Sequence, residues 1–136
     1  MRAVGAIGIT VADMDRALPF YTRTLPFELI ADVQVSGRDY GRLKDLPFLN
    51  RRGTSTTPRL RVARLRLGAE LLVLTDYLEP EGRPIPVDAR SNDRWHQHIA
   101  LVVSDMDRAY DLMREHAVQH VSPGPQTLPE GQAEVA

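Results

Sequence analysis

Ile9-Thr10-Val11-Ala12-Asp13-Met14-Asp15-Arg16-Ala17 returns as Leu101-Val102-Val103-Ser104-Asp105-Met106-Asp107-Arg108-Ala109, at a constant offset of 92 with six of the nine residues identical. The two copies share a structural grammar as well as letters. In residues 6–11, Ile7, Ile9 and Val11 alternate with Ala6, Gly8 and Thr10; in residues 98–103, Ile99, Leu101 and Val103 alternate with His98, Ala100 and Val102. A period of two is that of a strand. Asp13 and Asp105 follow where a helix needs an N-cap, and Asp15 and Asp107 place negative charge near the positive helix end. The pattern predicts helices over residues 14–25 and 106–116, with Pro19 deleting one backbone bond inside the first.

From this repeat the chain can be divided. Residues 27–35 read as a strand, and 36–58 as a long polar loop of the kind that forms lids or binding segments. Residues 60–67 and 69–75 read as two strands joined at Gly68, with a slip in apolar phase near Val62 and Ala63 that suggests a bulge. That completes a first βαβββ module over residues 1–78. A charged, Pro-containing linker spans 79–94. Residues 95–122 hold a partial second module, with a short strand at 119–121, and 123–136 form a Pro/Gly-rich tail. The fold class expected is α+β: paired βαβββ modules in a curved, partly open mixed sheet, the two modules together one domain.

Composition excludes several functions. At 136 residues the chain can bury enough surface to fold without a staple. It has no cysteine, so disulfides and a thiol nucleophile are ruled out. With 17 basic against 18 acidic residues, nothing draws it to nucleic acid or an anionic membrane. No stretch approaches a membrane span, and the short apolar run at the N-terminus does not read as a signal peptide; a cytoplasmic protein is expected. An unpaired sheet edge left by the partial second module would be covered by a partner chain, hence a homodimer.

The segments 9–15 with Phe20-Tyr21, Leu67-Gly68-Ala69-Glu70-Leu71, and 98–107 resemble the vicinal oxygen chelate superfamily, which holds the glyoxalases, bleomycin-resistance proteins and extradiol dioxygenases. The resemblance covers residues 4–122. It implies two metal ligands per module, one from the first strand and one from the fourth. The second-module first-strand position is His98; its twin, 98 − 92 = 6, is Ala. Glu70 is the first-module fourth-strand candidate, and its twin, 70 + 92 = 162, lies past the last residue. In another register that ligand position falls on Val73, and Glu70 is then no ligand. His98 and Glu70 are thus the metal-ligand candidates, short of the about three protein ligands a catalytic metal needs. The expectation is no cofactor, with a divalent metal as the alternative.

If Leu71 and Val73 lie under the helix, Glu70 points into the same cavity as His98. A His–Glu pair there could move protons without metal, as general base and general acid. His98 and Glu70 are therefore the catalytic candidates, and Thr10, Tyr40, Leu72, Trp95, His96 and Ala100 the candidates for contact with a small-molecule substrate. The bland reading makes His98 and Glu70 structural relics. His116 and His120 flank a helix end and read as dipole partners, Phe20 and Tyr21 as packing. Arg59, Arg61, Arg64 and Arg66 read as a solvated strand face, and Arg38 and Asp39 as exposed loop residues. The leading function is an acid–base isomerase, lyase or cyclase, in secondary metabolism. The alternatives are a non-catalytic drug- or metabolite-binding resistance protein, and a metal-dependent lyase or dioxygenase completed by another chain or a C-terminal segment.

Overall fold

A computed structural model describes residues 4–36, 57–90, 92–94, 98–127 and 134–135. The chain divides into two compact units, Met1–Pro86 and Val87–Ala136. In the first unit β1 (Ile7–Val11) leads into α1 (Met14–Pro19), followed by β2 (Glu28–Ser36), β3 (Arg59–Leu67) and β4 (Glu70–Glu79). The sheet order is β1-β4-β3-β2, with β1 parallel to β4 and the other pairs antiparallel. This is one complete βαβββ module, an open mixed sheet with a helix on one side.

Local chemistry explains the helix. Asp13 is extended (φ −158°, ψ 112°) and its carboxylate accepts from the Arg16 N–H at 3.1 Å. A second carboxylate secures the same end: buried Asp76 of β4 accepts from the Met14 N–H at 3.0 Å. Pro19 then shortens the α-helix. Its missing N–H breaks the i→i−4 ladder, and residues Phe20–Thr24 continue as a π-helical turn in which Leu25 N–H reaches Phe20 C=O at 2.9 Å. The expected single helix over 14–25 is therefore two segments. Phe20, Tyr21 and Phe27 meet edge to face, with centroids 5.2 and 5.8 Å apart, as packing residues.

The sheet has two different faces. Ile7, Ile9 and Val11 pair with Leu72, Leu74 and Asp76, and these with Leu65, Ala63 and Arg61. Because Asp76 binds the start of α1, this is the helix-covered side, and Leu65, Leu72, Leu74, Ala63 and Met14 are its buried core. The Ile/Val face of β1 thus packs under the helix. The expectation that Leu71 and Val73 do so is corrected: they lie on the other face. The ladder runs unbroken through Val62 and Ala63; the irregularities fall at Leu29/Ala31 and at Arg59/Leu60. Val62 and Ala63 point to opposite faces of the sheet and are both buried, which in the sequence mimics a slip.

The arginines of β3 also divide between the faces, so the single solvated face expected of them is corrected. Arg61 points to the helix side, where its guanidinium bonds Asp15 of α1 at 2.7 Å and both oxygens of Asp32 on β2 at 2.9 and 2.7 Å. It ties the first helical turn to the sheet. The Arg61 side chain is 21% exposed and that of Asp32 27%, so the pair is screened less than a surface pair. Arg61 holds the Asp32 carboxyl below its ordinary value by hydrogen bonding, against desolvation. A lowered carboxyl contributes stability above its unfolded pKa that is lost as pH falls through its folded pKa. Arg61→Met is expected to cost about 1–2 kcal/mol at neutral pH and to flatten the loss of stability below about pH 4; chemical denaturation across that range checks both.

In the second unit α2 (Met106–Glu115) repeats the cap of the first helix. Asp105 has φ −148° and ψ 106°, and its carboxylate accepts from the Arg108 N–H at 2.9 Å. Residues 98–103, expected as a strand, have no ladder partner among the described residues. Their twin β1 is held by its parallel ladder with β4. The short strand expected at 119–121 is absent. Within the expected tail, β5 (Gln126–Thr127) pairs with β6 (Glu134–Val135). Tyr110 of α2 stacks on His120 with centroids 4.4 Å apart and carries Arg114 over its ring at 6.0 Å.

Candidate functional site

The face of the first sheet turned away from α1 is built in cross-strand rows. One row is Gly8, Val73, Arg64 and Ala31; the next is Thr10, Thr75, Val62 and Val33; a third holds Leu71, Arg66 and Glu28. Small residues on β1 leave the surface open above their strand, and Gly8 has open space where a Cβ would stand. Leu71 is 37% and Val33 50% exposed, Val73 and Thr75 are half-buried, and Leu60 and Val62 at the other end of the face are buried. The surface is apolar, with hydroxyls along one row and one arginine in each of the other two.

The sequence-nominated residues distribute unevenly over this geometry. Thr10 lies on the open face and is exposed. Leu72, expected to contact substrate, is 3% exposed in the helix-covered core. Its correction follows from the β1–β4 register, which places Leu72 beside Ile7. Glu70 opens β4 in the alternation of Leu72 and Leu74, opposite in phase to Leu71 and Val73, and is exposed. Val73 occupies the open face in the alternative ligand register. His98 and Ala100 are exposed residues of the second unit. Tyr40, Trp95 and His96, with Arg38 and Asp39 and the loop expected to act as a lid, lie outside the described residues.

The donor set of a family metal site can be tested on these positions. Ala6 and Val73 offer no donor atom, Glu70 is in the helix-side phase, and among the described residues no three His, Asp or Glu groups cluster. Among the described residues this donor set does not fit a metal, and no chemical step is routed through one.

Arg64 was not singled out by the sequence. Three of the four β3 arginines meet carboxylates: Arg59 with Glu79 at 3.2 Å, Arg61 with Asp15 and Asp32, Arg66 with Glu28 at 2.6 Å. Arg64 makes no ion pair among the described residues, because its cross-strand neighbours are Ala31 and Val73. Only the strand register distinguishes it from the others; residue spacing treats all four alike.

Residues 3–135 match the family described as the Glyoxalase/Bleomycin resistance protein/Dioxygenase superfamily. The chain belongs to this superfamily. Among proteins of known function it is similar to a 2-epi-5-epi-valiolone epimerase of Actinomyces sp, 30% identical over 132 residues, which is 95% of this chain and 67% of that protein. Among solved structures it is similar to a glyoxalase family protein of Bacillus cereus, with TM-score 0.61 and 18% identity over 85% of this chain and 72% of the other. It is also similar to the protein SMU.1112c, with TM-score 0.56 and 16% identity over 98% of this chain and 87% of the other. At such identities the structural likenesses speak for the vicinal oxygen chelate fold alone. Among the described residues no helix is long and apolar enough to cross a membrane.

Proposed function

We propose that this chain is an isomerase that epimerises a small polyhydroxylated ketone at the carbon beside its carbonyl, in secondary metabolism. The observation that carries the reading is the 30% identity to an epimerase over 95% of the chain, running through both copies of the strand–cap–helix element. Fold alone would not carry it, since one fold hosts many reactions.

Chemically the reaction needs little machinery. A base removes the proton next to the carbonyl, the electron pair moves toward the oxygen, and a proton returns to the same carbon on its other face. His98 is the proposed base, a neutral imidazole nitrogen being able to accept the proton, and the proton that returns on the other face is taken from solvent. Glu70 is the weaker nominee, because its strand phase is that of the core leucines. Within the first unit, the open face of β1 and β4 sets Thr10 and Thr75 side by side among apolar residues, a surface of the kind a polyol ring binds. A homodimer and a cytoplasmic setting go with this reading as proposals.

Incubating the protein with cyclic polyhydroxy ketones of the valiolone type in D2O tests it. Deuterium is expected to enter at the carbon beside the carbonyl, with the second epimer accumulating to equilibrium. Saturable binding with neither exchange nor epimer would reject the reading in favour of a binding protein, which the missing donors at Ala6 and Val73 would also suit.

A further inference from the structure

We propose that His120 Nε2 and Ser122 Oγ hold one buried water between them, which fastens the segment that follows α2 onto the face of that helix. The site lies within the second unit and is independent of the reaction. The turn that places these residues starts at the end of α2. The Ala117 N–H donates to the Arg114 C=O at 3.0 Å and the Val118 N–H to the Met113 C=O at 3.0 Å, the paired bonds that close a helix. That closure sets Ala117 at φ 53°, in the left-handed region that favours glycine, so the turn is strained and holds only with support from contacts beyond it. From there the chain alternates: Val118, His120 and Ser122 are half-buried, while Gln119, Val121 and Pro123 are exposed. His120 makes a contact back to the helix, its ring centroid 4.4 Å from that of Tyr110.

Two hydrogen-bonding atoms on the inward side are shut off from solvent and have no hydrogen-bond partner among the described residues, His120 Nε2 and Ser122 Oγ. A buried polar atom without a partner is costly, and folded proteins satisfy nearly all of them with protein groups or ordered water. Three features select water as the guest. The two residues stand two apart in an alternating segment, which sets extended Cα atoms about 6.6 Å apart with both side chains on one side. A single oxygen making two hydrogen bonds of about 2.8 Å bridges such a gap. The donors and acceptors also match in either imidazole tautomer. With a proton on Nε2 the ring donates to the water and the water donates to Ser122 Oγ; without it the water donates to Nε2 and accepts from the Ser122 hydroxyl. A metal cation is disfavoured, because neither group carries negative charge and the Arg114 guanidinium lies over the Tyr110 ring at 6.0 Å. A buried water needs roughly two to four polar partners, and this pair supplies the minimum.

A crystal structure of the parent protein, at a resolution that shows ordered water, is the first test. One oxygen is expected within about 2.7–3.2 Å of both atoms. A direct bond between His120 and Ser122, another protein group bonded to either atom, or no water between them overturns the proposal. The second test is a double-mutant cycle read by melting midpoint. Ser122→Ala removes one partner, and His120→Phe removes the other while keeping a ring against Tyr110. Each is expected to melt about 4 °C below the parent, the shift for one buried hydrogen-bonding group left alone in a chain of this length. The double variant is expected to melt no lower than either single variant, since with both partners gone neither is left unsatisfied. Additive losses, or single variants that melt with the parent, overturn the proposal.

Discussion

His98→Ala is expected to lower turnover by about 10²–10⁴-fold, the range that a positioned general acid–base group supplies. His98→Gln should fall as far, since an amide keeps the size and hydrogen-bonding capacity but cannot carry a proton. Both variants should fold as the parent does, because His98 is exposed and has no ladder partner among the described residues. Glu70→Ala is the informative companion. Glu70 is exposed and in phase with Leu72 and Leu74, so its removal is expected to leave the rate near that of the parent. Steady-state kinetics and the deuterium exchange assay measure these outcomes on the same samples. If Glu70→Ala falls with His98→Ala, the two carboxylate–imidazole partners foreseen in the sequence act together and the phase argument is wrong. If His98→Ala keeps full activity, the proton moves through another group.

The contrast between those two residues shows where sequence reading succeeds and where it stops. The repeated cap–helix element was legible because its chemistry is local, whereas the strand expected before the second cap did not form among the described residues. An aspartate capping the N–H three residues on needs no distant partner, and both copies make that bond, at 3.1 and 2.9 Å. The faces of β1 were legible too, since Ile7, Ile9 and Val11 alternate with small residues. The faces of β4 were not. Leu72 and Leu74 alternate with Leu71 and Val73, and both series are apolar enough to be core. What decides between them is non-local: the parallel register with β1 and the reach of Asp76 to the Met14 N–H, 62 residues away in sequence. That single phase determines the fate of Leu72, of Glu70 and of Val73 together. The β3 arginines repeat the lesson, for their spacing is uniform while their partners on β2, β4 and α1 are not. Arg61 becomes a helix-to-sheet tie, and Arg64 meets no carboxylate among the described residues, by virtue of residues 28–36 and 70–79 set beside them.

Leu74→Ala is expected to destabilise the protein by about 2–5 kcal/mol, the cost of removing a fully buried leucine and leaving a cavity. Leu74 has no exposure, lies between Ile9 and Ala63 in the parallel–antiparallel ladder, and sits on the side covered by α1. Ala63 on one side is already small and has no bulk to spare for the void, which pushes the cost toward the upper part of the range. Leu71→Ala makes the comparison decisive. Leu71 is one position away from Leu72 on the same strand, of the same residue type as Leu74, and 37% exposed on the open face. Its truncation should cost well under half as much stability, while weakening the apolar floor offered to a substrate ring. Urea denaturation followed by far-UV circular dichroism reads the stability difference, and KM for the exchange reaction reads the floor. Were Leu71→Ala the more destabilising of the two, α1 would cover the other face of the sheet. Leu72 and Glu70 would return to the ligand side, and Arg64 would move to the core side, where an unpaired guanidinium could not be sustained.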